Sequence, residues 1–218
     1  MTPSPRAVLW DLDGTLIDTG PIHWHAWHEI LAGEGHGLTR EVFLSCFGMR
    51  NDTIIPMWLG PQVTSQEIER IAAAKETRFR ELLDVLPLRV LPGVMQWLSR
   101  LQAQGWRQAI ATMAPRLNVE KMVKITGIDR YIDAFAAAED VSRGKPAPDI
   151  FLTAAARLGV PPAACIVVED APAGIEAARR AGMRSIGVGA SITPAAAADL
   201  TIPTLLELPE DAFSHLIQ

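Results

Sequence analysis

The chain has 218 residues, 49% of them apolar, and a formal net charge of −5. That length carries one large domain, or a core domain with a smaller insert, and the acidic balance excludes the basic face that nucleic-acid binding requires. No apolar run approaches the ~20 residues of a membrane-spanning helix, and charge is not segregated as on a membrane-surface helix. Met1 to Arg6 lacks a basic stretch followed by an apolar one, so no signal peptide is expected. Cys46 and Cys165 form no CxxC pair. They read as small buried hydrophobes in a reduced, cytoplasmic protein.

The first predicted element is a strand over 7–10, four apolar residues in a row after Pro5. A continuous apolar run of this length fits a strand covered on both faces. It runs into Asp11-Leu12-Asp13-Gly14-Thr15. Side chains alternate along a strand, so two aspartates on one side of its end are costly without a cation or a chemical task. Asp-Gly is also a common turn pair, which is the plainer reading of the same residues.

The period then changes to that of helices. Pro21 suits a first helical turn, and Ile22, Trp27, Ile30 and Leu31 share a face over 21–31. His25 and His28 are neighbours on this helix, whereas His23 points elsewhere. A zinc site needs convergent ligands, so none is expected, and His25 and His28 read as solvated. Gly33 to Gly37 breaks the helix, and Thr39 can cap the next one, through Val42, Phe43 and Leu44. Asn51 or Asp52 can start a third helix, with Ile54, Ile55, Met57 and Trp58, stopped by Gly60-Pro61. A long helix runs over 65–83. The stretch from about 20 to 84 is therefore all helical.

Beyond Pro87 and Pro92-Gly93 the pattern alternates: helix 94–104, strand 108–112, helix 117–125, strand 134–138, helix 149–158, strand 165–168, helix 174–181, strand 185–188 and a short strand 200–202. The strand at 134–138 is the weakest, because alanine has poor strand propensity. Alternation of this kind predicts right-handed crossovers and a parallel sheet covered on both faces. The fold class is α/β, with the all-helical block inserted after the first strand.

In such a sheet the strand ends converge on one edge, where ligands bind. The residues at those ends are Asp11 and Asp13, Thr112, and Glu169 and Asp170. Lys145 stands in the loop before the helix at 149. Four carboxylates gathered together repel, and a hard divalent cation with oxygen ligands resolves the repulsion. A lysine and a hydroxyl suit a phosphate, and an aspartate can attack phosphorus to give an aspartyl-phosphate. Taken singly, Lys145 reads as a solvated loop residue, Thr112 as a strand end, and Glu169-Asp170 as a helix cap. Gly174 reads as a close-packing glycine.

Asp11-Leu12-Asp13-Gly14-Thr15, Thr112, Lys145-Pro146 and Glu169-Asp170, in this order, resemble the haloacid dehalogenase superfamily. The resemblance covers nearly the whole chain, and the helical insert resembles a cap domain of the first class. It implies a Rossmann-like catalytic core over 1–18 and 88–218 with a helical cap over 19–87. It implies Asp11 as nucleophile, Asp13 as general acid and base, and Mg2+ held by Asp11, the Asp13 backbone carbonyl and Asp170, with Glu169 on the metal or on its water. Thr112, Met113 and Lys145 would bind the phosphoryl group. Relatives that cleave carbon–halogen bonds usually lack the second aspartate, so Asp13 points to phosphate esters.

Asp18-Thr19-Gly20-Pro21-Ile22-His23 and Trp27 resemble the β-phosphoglucomutase-like branch. The resemblance places Thr19 at the hinge, His23 at the cap entrance and Lys75 on a cap helix closing over the site. Read alone, Lys75 is a solvated helix charge. A mutase must also hold a second phosphate. Here the cap loop reads Phe47-Gly48-Met49-Arg50-Asn51, with its arginine shifted by one, and Met113, Ala114 and Pro115 follow Thr112 where the mutases place hydroxyls. Arg50 and Arg116 are the candidates to substitute. The resulting expectation is a Mg2+-dependent phosphatase of a small phosphate ester, a sugar phosphate among the candidates, acting as a monomer or weak dimer. β-Phosphoglucomutase is the enzymatic alternative, and a non-catalytic binding protein the alternative from another class.

Overall fold

Ala7–Trp10 (β1) is fully buried along its length, as a strand between two helical layers must be. A computed structural model describes residues 5–217 of the chain; the first four residues, on which the expectation of no leader partly rests, lie outside them. By packing density the chain falls into two units, Met1–Asp18 with Val90–Gln218, and Thr19–Arg89.

The first unit is built on a parallel sheet. Its further strands are Arg107–Ala111 (β4), Ala134–Ala136 (β5), Cys165–Glu169 (β6), Arg184–Val188 (β7) and Leu200–Ile202 (β8), in the order β5-β4-β1-β6-β7-β8. Strand β1 pairs with β4 on one side and β6 on the other, Trp10 standing opposite both Ile110 and Val168. The chain thus changes direction across β1, which opens a crevice at the carboxyl end of that strand. Helices Val94–Ala103 (α5), Arg116–Thr126 (α6), Asp149–Leu158 (α7), Pro172–Arg180 (α8) and Ala212–Leu216 (α9) complete the unit.

One layer of core joins Leu9, Ala109 and Val167 to Ile150, Phe151 and Ala154 of α7 and Ala177 and Ala178 of α8. The alanines of β4 and β5 supply little strand propensity, but they let α7 approach closely, and that packing outweighs propensity. Helix α9 has no counterpart among the predicted elements, because five residues carry too little periodicity. Its Phe213 inserts its ring among Trp10, Trp97 and Trp106, 5.4–6.2 Å between centroids.

The second unit contains Gly20–Gly33 (α1), Arg40–Cys46 (α2), Asn51–Leu59 (α3) and Ser65–Leu82 (α4). Thr39 caps α2 by accepting the Val42 N–H. Thr64 and Glu67 form a reciprocal capping box at the start of α4, a signature the sequence carries plainly. Trp27, Leu31, Phe43, Ile54, Ile55 and Ile71 form its core. Ile17–Asp18 (β2) and Arg89–Val90 (β3) form a separate two-stranded sheet, too short to be read from period. Among the described residues, no helix is long and apolar enough to cross a membrane.

Candidate active site

The carboxyl end of β1 sets the site. The Asp11 amide continues the ladder by donating to the Val168 carbonyl at 2.9 Å, after which the Leu16 and Ile17 amides fold back onto the Leu12 carbonyl, each at 3.0 Å. Gly14 completes this turn with φ +86°, and a Cβ there would overlap the Asp170 carboxylate. Only glycine meets both demands. Thr15, buried beside it, donates its hydroxyl to Asp170 Oδ1 at 3.3 Å. In the sequence Thr15 stands out only as part of the motif; its link to Asp170, 155 residues away, exists only in the fold.

Lys145 reaches in from the loop before α7, where the Lys145–Pro146 peptide is cis. Its Nζ lies 2.5 Å from Asp11 Oδ1 and 2.7 Å from Glu169 Oε2. Its side chain is 10% exposed, which removes the solvated-loop reading. Glu169 is the last residue of β6 and is buried, so it belongs to the strand and not to a helix cap. Its Oε1 accepts the Ala171 N–H at 3.2 Å. Gly174 of α8 passes so close that a Cβ would overlap the Glu169 carboxylate. The close packing read for this glycine is therefore packing against a site residue.

Three carboxylates, Asp11, Glu169 and Asp170, bring ligand oxygens within 4.8 Å of one another. Burial is the main cause that raises each of their pKa values. The Asp11 charge adds to it for its two neighbours, pushing Glu169 up to about 8 and Asp170 to about 7. Asp11 is raised by burial against the pull of Lys145. Burial alone would lower Lys145, but the Asp11 and Glu169 carboxylates outweigh it and hold the ammonium charged. Three carboxylates crowded in one buried cluster resist full ionisation by themselves; with all three ionised they would exceed the Lys145 ammonium by two negative charges, which is the charge and the oxygen donor set that suit one hard divalent cation. The Asp13 side chain is not in this group; its Oδ2 lies 3.5 Å from Thr112 Oγ1. Thr112 follows β4, is 1% exposed, and accepts the Ala114 N–H at 3.0 Å. Met113 packs against the core layer beneath.

Arg116 opens α6 and pairs with Asp140 at 2.6 Å. In the helical unit, Arg50 pairs with Asp52 at 2.8 Å. Thr19, fully buried, precedes α1, and its carbonyl accepts the Ile22 and His23 amides. Lys75 overturns its solvated reading: it is 2% exposed, with Nζ 2.8 Å from Glu76 Oε1 and 2.8 Å from His23 Nδ1. It also stands over the Trp27 and Phe79 rings, and His23 stacks on Phe79 with centroids 4.1 Å apart. A helix charge looks solvated from its own sequence; the aromatic residues that enclose it come from two helices. His25 and His28 are exposed, as read.

Comparison with known proteins agrees with this geometry. A family model of haloacid dehalogenase-like hydrolases matches residues 5–182. Fructose-1-phosphate phosphatase YqaB of Escherichia coli (strain K12) is 33% identical over 183 residues, covering 83% of this chain and 95% of that protein. A crystal structure of β-phosphoglucomutase from Clostridium difficile superposes with a TM-score of 0.87 at 26% identity, over 98% of this chain and 97% of the other. A structure of CbbY from Rhodobacter sphaeroides in complex with xylulose-(1,5)bisphosphate does so with a TM-score of 0.84 at 30% identity, over 94% and 96%.

Proposed function

We propose, for a chain that belongs to the haloacid dehalogenase-like hydrolases, a Mg2+-dependent phosphatase activity on a small phosphorylated metabolite of the sugar-phosphate class. The observation that carries this reading is the meeting of Asp11, Lys145, Glu169 and Asp170 at one sheet edge, with Asp13 beside Thr112. In the proposed cycle an Asp11 oxygen attacks phosphorus and the ester P–O bond breaks. Asp13 donates its proton to the departing alkoxide oxygen. The resulting carboxylate of Asp13 then takes a proton from water, whose oxygen attacks the aspartyl-phosphate. Inorganic phosphate leaves and the Asp11 carboxylate is restored. Lys145 orients Asp11 and offsets charge on the phosphoryl oxygens, and the Thr112 hydroxyl donates to one of them. Asp11 and Asp170, with the Asp13 backbone carbonyl, would hold magnesium, Glu169 standing beside it; the ion supplies charge neutralisation at the phosphoryl group.

The test is a phosphate-release screen with magnesium over sugar phosphates, polyol phosphates and nucleotides. Release is expected from a sugar or polyol monophosphate and is abolished by chelation. Asp11→Asn should lower turnover by at least ~10³-fold with the fold intact; full activity in that variant would sink the mechanism. Two other readings have their own outcomes in the same assay. β-Glucose 1-phosphate converted to glucose 6-phosphate without free phosphate would show a mutase. No turnover across the panel would favour a binding protein. The likeness to YqaB supports a monophosphate and the likeness to CbbY a bisphosphate.

A further inference from the structure

The loop that carries Lys145 is closed by Arg143, whose guanidinium donates to both carboxylate oxygens of Asp149, at 3.0 and 3.1 Å. Within the same turn the Ala147 N–H donates to the Gly144 carbonyl at 3.0 Å. The root of the lysine is therefore fixed. Its ammonium stands at the end of a flexible four-carbon stem, so its place is set by what surrounds Nζ. Asp11 and Glu169 hold it from one direction each. A further partner is an aromatic face: Nζ lies over the Phe151 ring, 5.0 Å from its centroid.

Phe151 comes from the first turn of α7 and is fully buried. It belongs to the core layer that includes Leu9, Ala154 and Val167, so its ring has no room to turn away. By packing alone it is an ordinary core phenylalanine. Its place against an ammonium gives it a second part. A cation within about 6 Å of a ring centroid is attracted by the ring quadrupole, more strongly where water is excluded. The ring also differs from the carboxylates in what the proposed cycle does to it. Asp11 gives up its negative charge when it becomes an acyl phosphate, and its hold on Lys145 weakens accordingly. A phosphoryl oxygen then draws on the same ammonium. The ring takes no part in making or breaking bonds, and it attracts Nζ equally before and after phosphoryl transfer.

We propose that Phe151 is a positioning residue for the phosphatase reaction: its ring face keeps the Lys145 ammonium beside Asp11 through the whole cycle, so that the charge stands ready for the phosphoryl oxygens. This rests on the phosphatase reading and deepens it.

The experiment separates the electrons of the ring from its bulk. Phenylalanine with one, two or three ring fluorines, and cyclohexylalanine, are introduced at position 151 by codon suppression. Fluorine withdraws charge from the ring face with little change of shape. Cyclohexylalanine keeps the bulk and has no aromatic face. Phosphate release from the best ester in excess magnesium gives kcat and KM, and circular dichroism shows that each protein is folded at the assay temperature. kcat should fall stepwise along the series, to about one-tenth with three fluorines and at least as far with cyclohexylalanine, the scale of a desolvated cation–π contact. KM should change less than about twofold, because the ammonium is lost from the reacting centre and not from substrate recognition. Phe151→Leu removes ring and volume together and should lower both kcat and the melting temperature. Where one variant melts below the assay temperature, the other steps of the series decide. A kcat that stays at the wild-type value with three fluorines or with cyclohexylalanine overturns the role of Phe151 and leaves the phosphatase reading intact. Release from no ester by the wild type sinks the phosphatase reading and this inference with it.

Discussion

Gly174→Ala sets two opposed effects against each other. Inside an exposed helix the change gains about 0.8–1 kcal/mol of helix propensity. Gly174 lies within α8, but a Cβ there would overlap the Glu169 carboxylate. Overpacking of this kind costs ~1–3 kcal/mol. Glu169 cannot swing away freely, because Lys145 and the Ala171 N–H hold its two oxygens, and a hydrogen bond to a charged group is worth ~1.5–3 kcal/mol. The clash wins by about 2 kcal/mol. For a chain of this length that lowers the melting temperature by roughly 4–8 °C. Turnover should fall too, since the displaced carboxylate no longer braces Lys145 against Asp11. Gly33→Ala is the control: Gly33 ends α1, and a Cβ there meets nothing within 4 Å. It should raise the melting temperature by roughly 1–4 °C. Thermal denaturation by circular dichroism, with phosphate release from the best ester, reads both. A Gly174→Ala protein as stable and active as wild type would refute the packing of α8 onto Glu169.

Lys75→Met should cost about 3–5 kcal/mol, since it removes the counter-charge of the buried Glu76 carboxylate while the Asn51 amide still donates to it; Lys75→Met with Glu76→Gln should recover at least half in urea unfolding. A loss below ~0.5 kcal/mol would restore the solvated reading. Asp140→Asn should cost about 1 kcal/mol at neutral pH by breaking a partly exposed network. Hydrogen bonds from Arg157 hold Asp140 down at about 2, below its usual 3.8. Its contribution is therefore full above pH ~4 and is lost as pH falls through about 2. Urea unfolding of wild type and variant at pH 7, 4 and 2 should show the gap closing at the acid end.

The site was legible where chemistry and chain punctuation coincide. Asp11, Asp13, Thr112, Glu169 and Asp170 each stand at the end of an apolar run, and strand ends in a parallel sheet share one edge. Lys145 was legible only jointly with them, since a loop lysine has no period to betray its direction. The partners that hold these residues were not legible: Thr15 on Asp170 and Gly174 against Glu169. Each joins segments whose separation in sequence carries no signal. Helix α9 and strands β2 and β3 escaped for a different reason, because two to five residues are too few to show a repeat.

The order of apolar runs and helical stretches was enough to establish a parallel α/β core with a helical insert, because burial on two faces and the helical period are local properties of the chain. The ionisation of the site was beyond its reach. Whether Lys75 is solvated or enclosed, whether Glu169 caps a helix or ends a strand, and whether Arg116 is open to a ligand or held by Asp140 depend on what surrounds each charge. Desolvation and counter-charges come from distant segments, and folding brings those segments together.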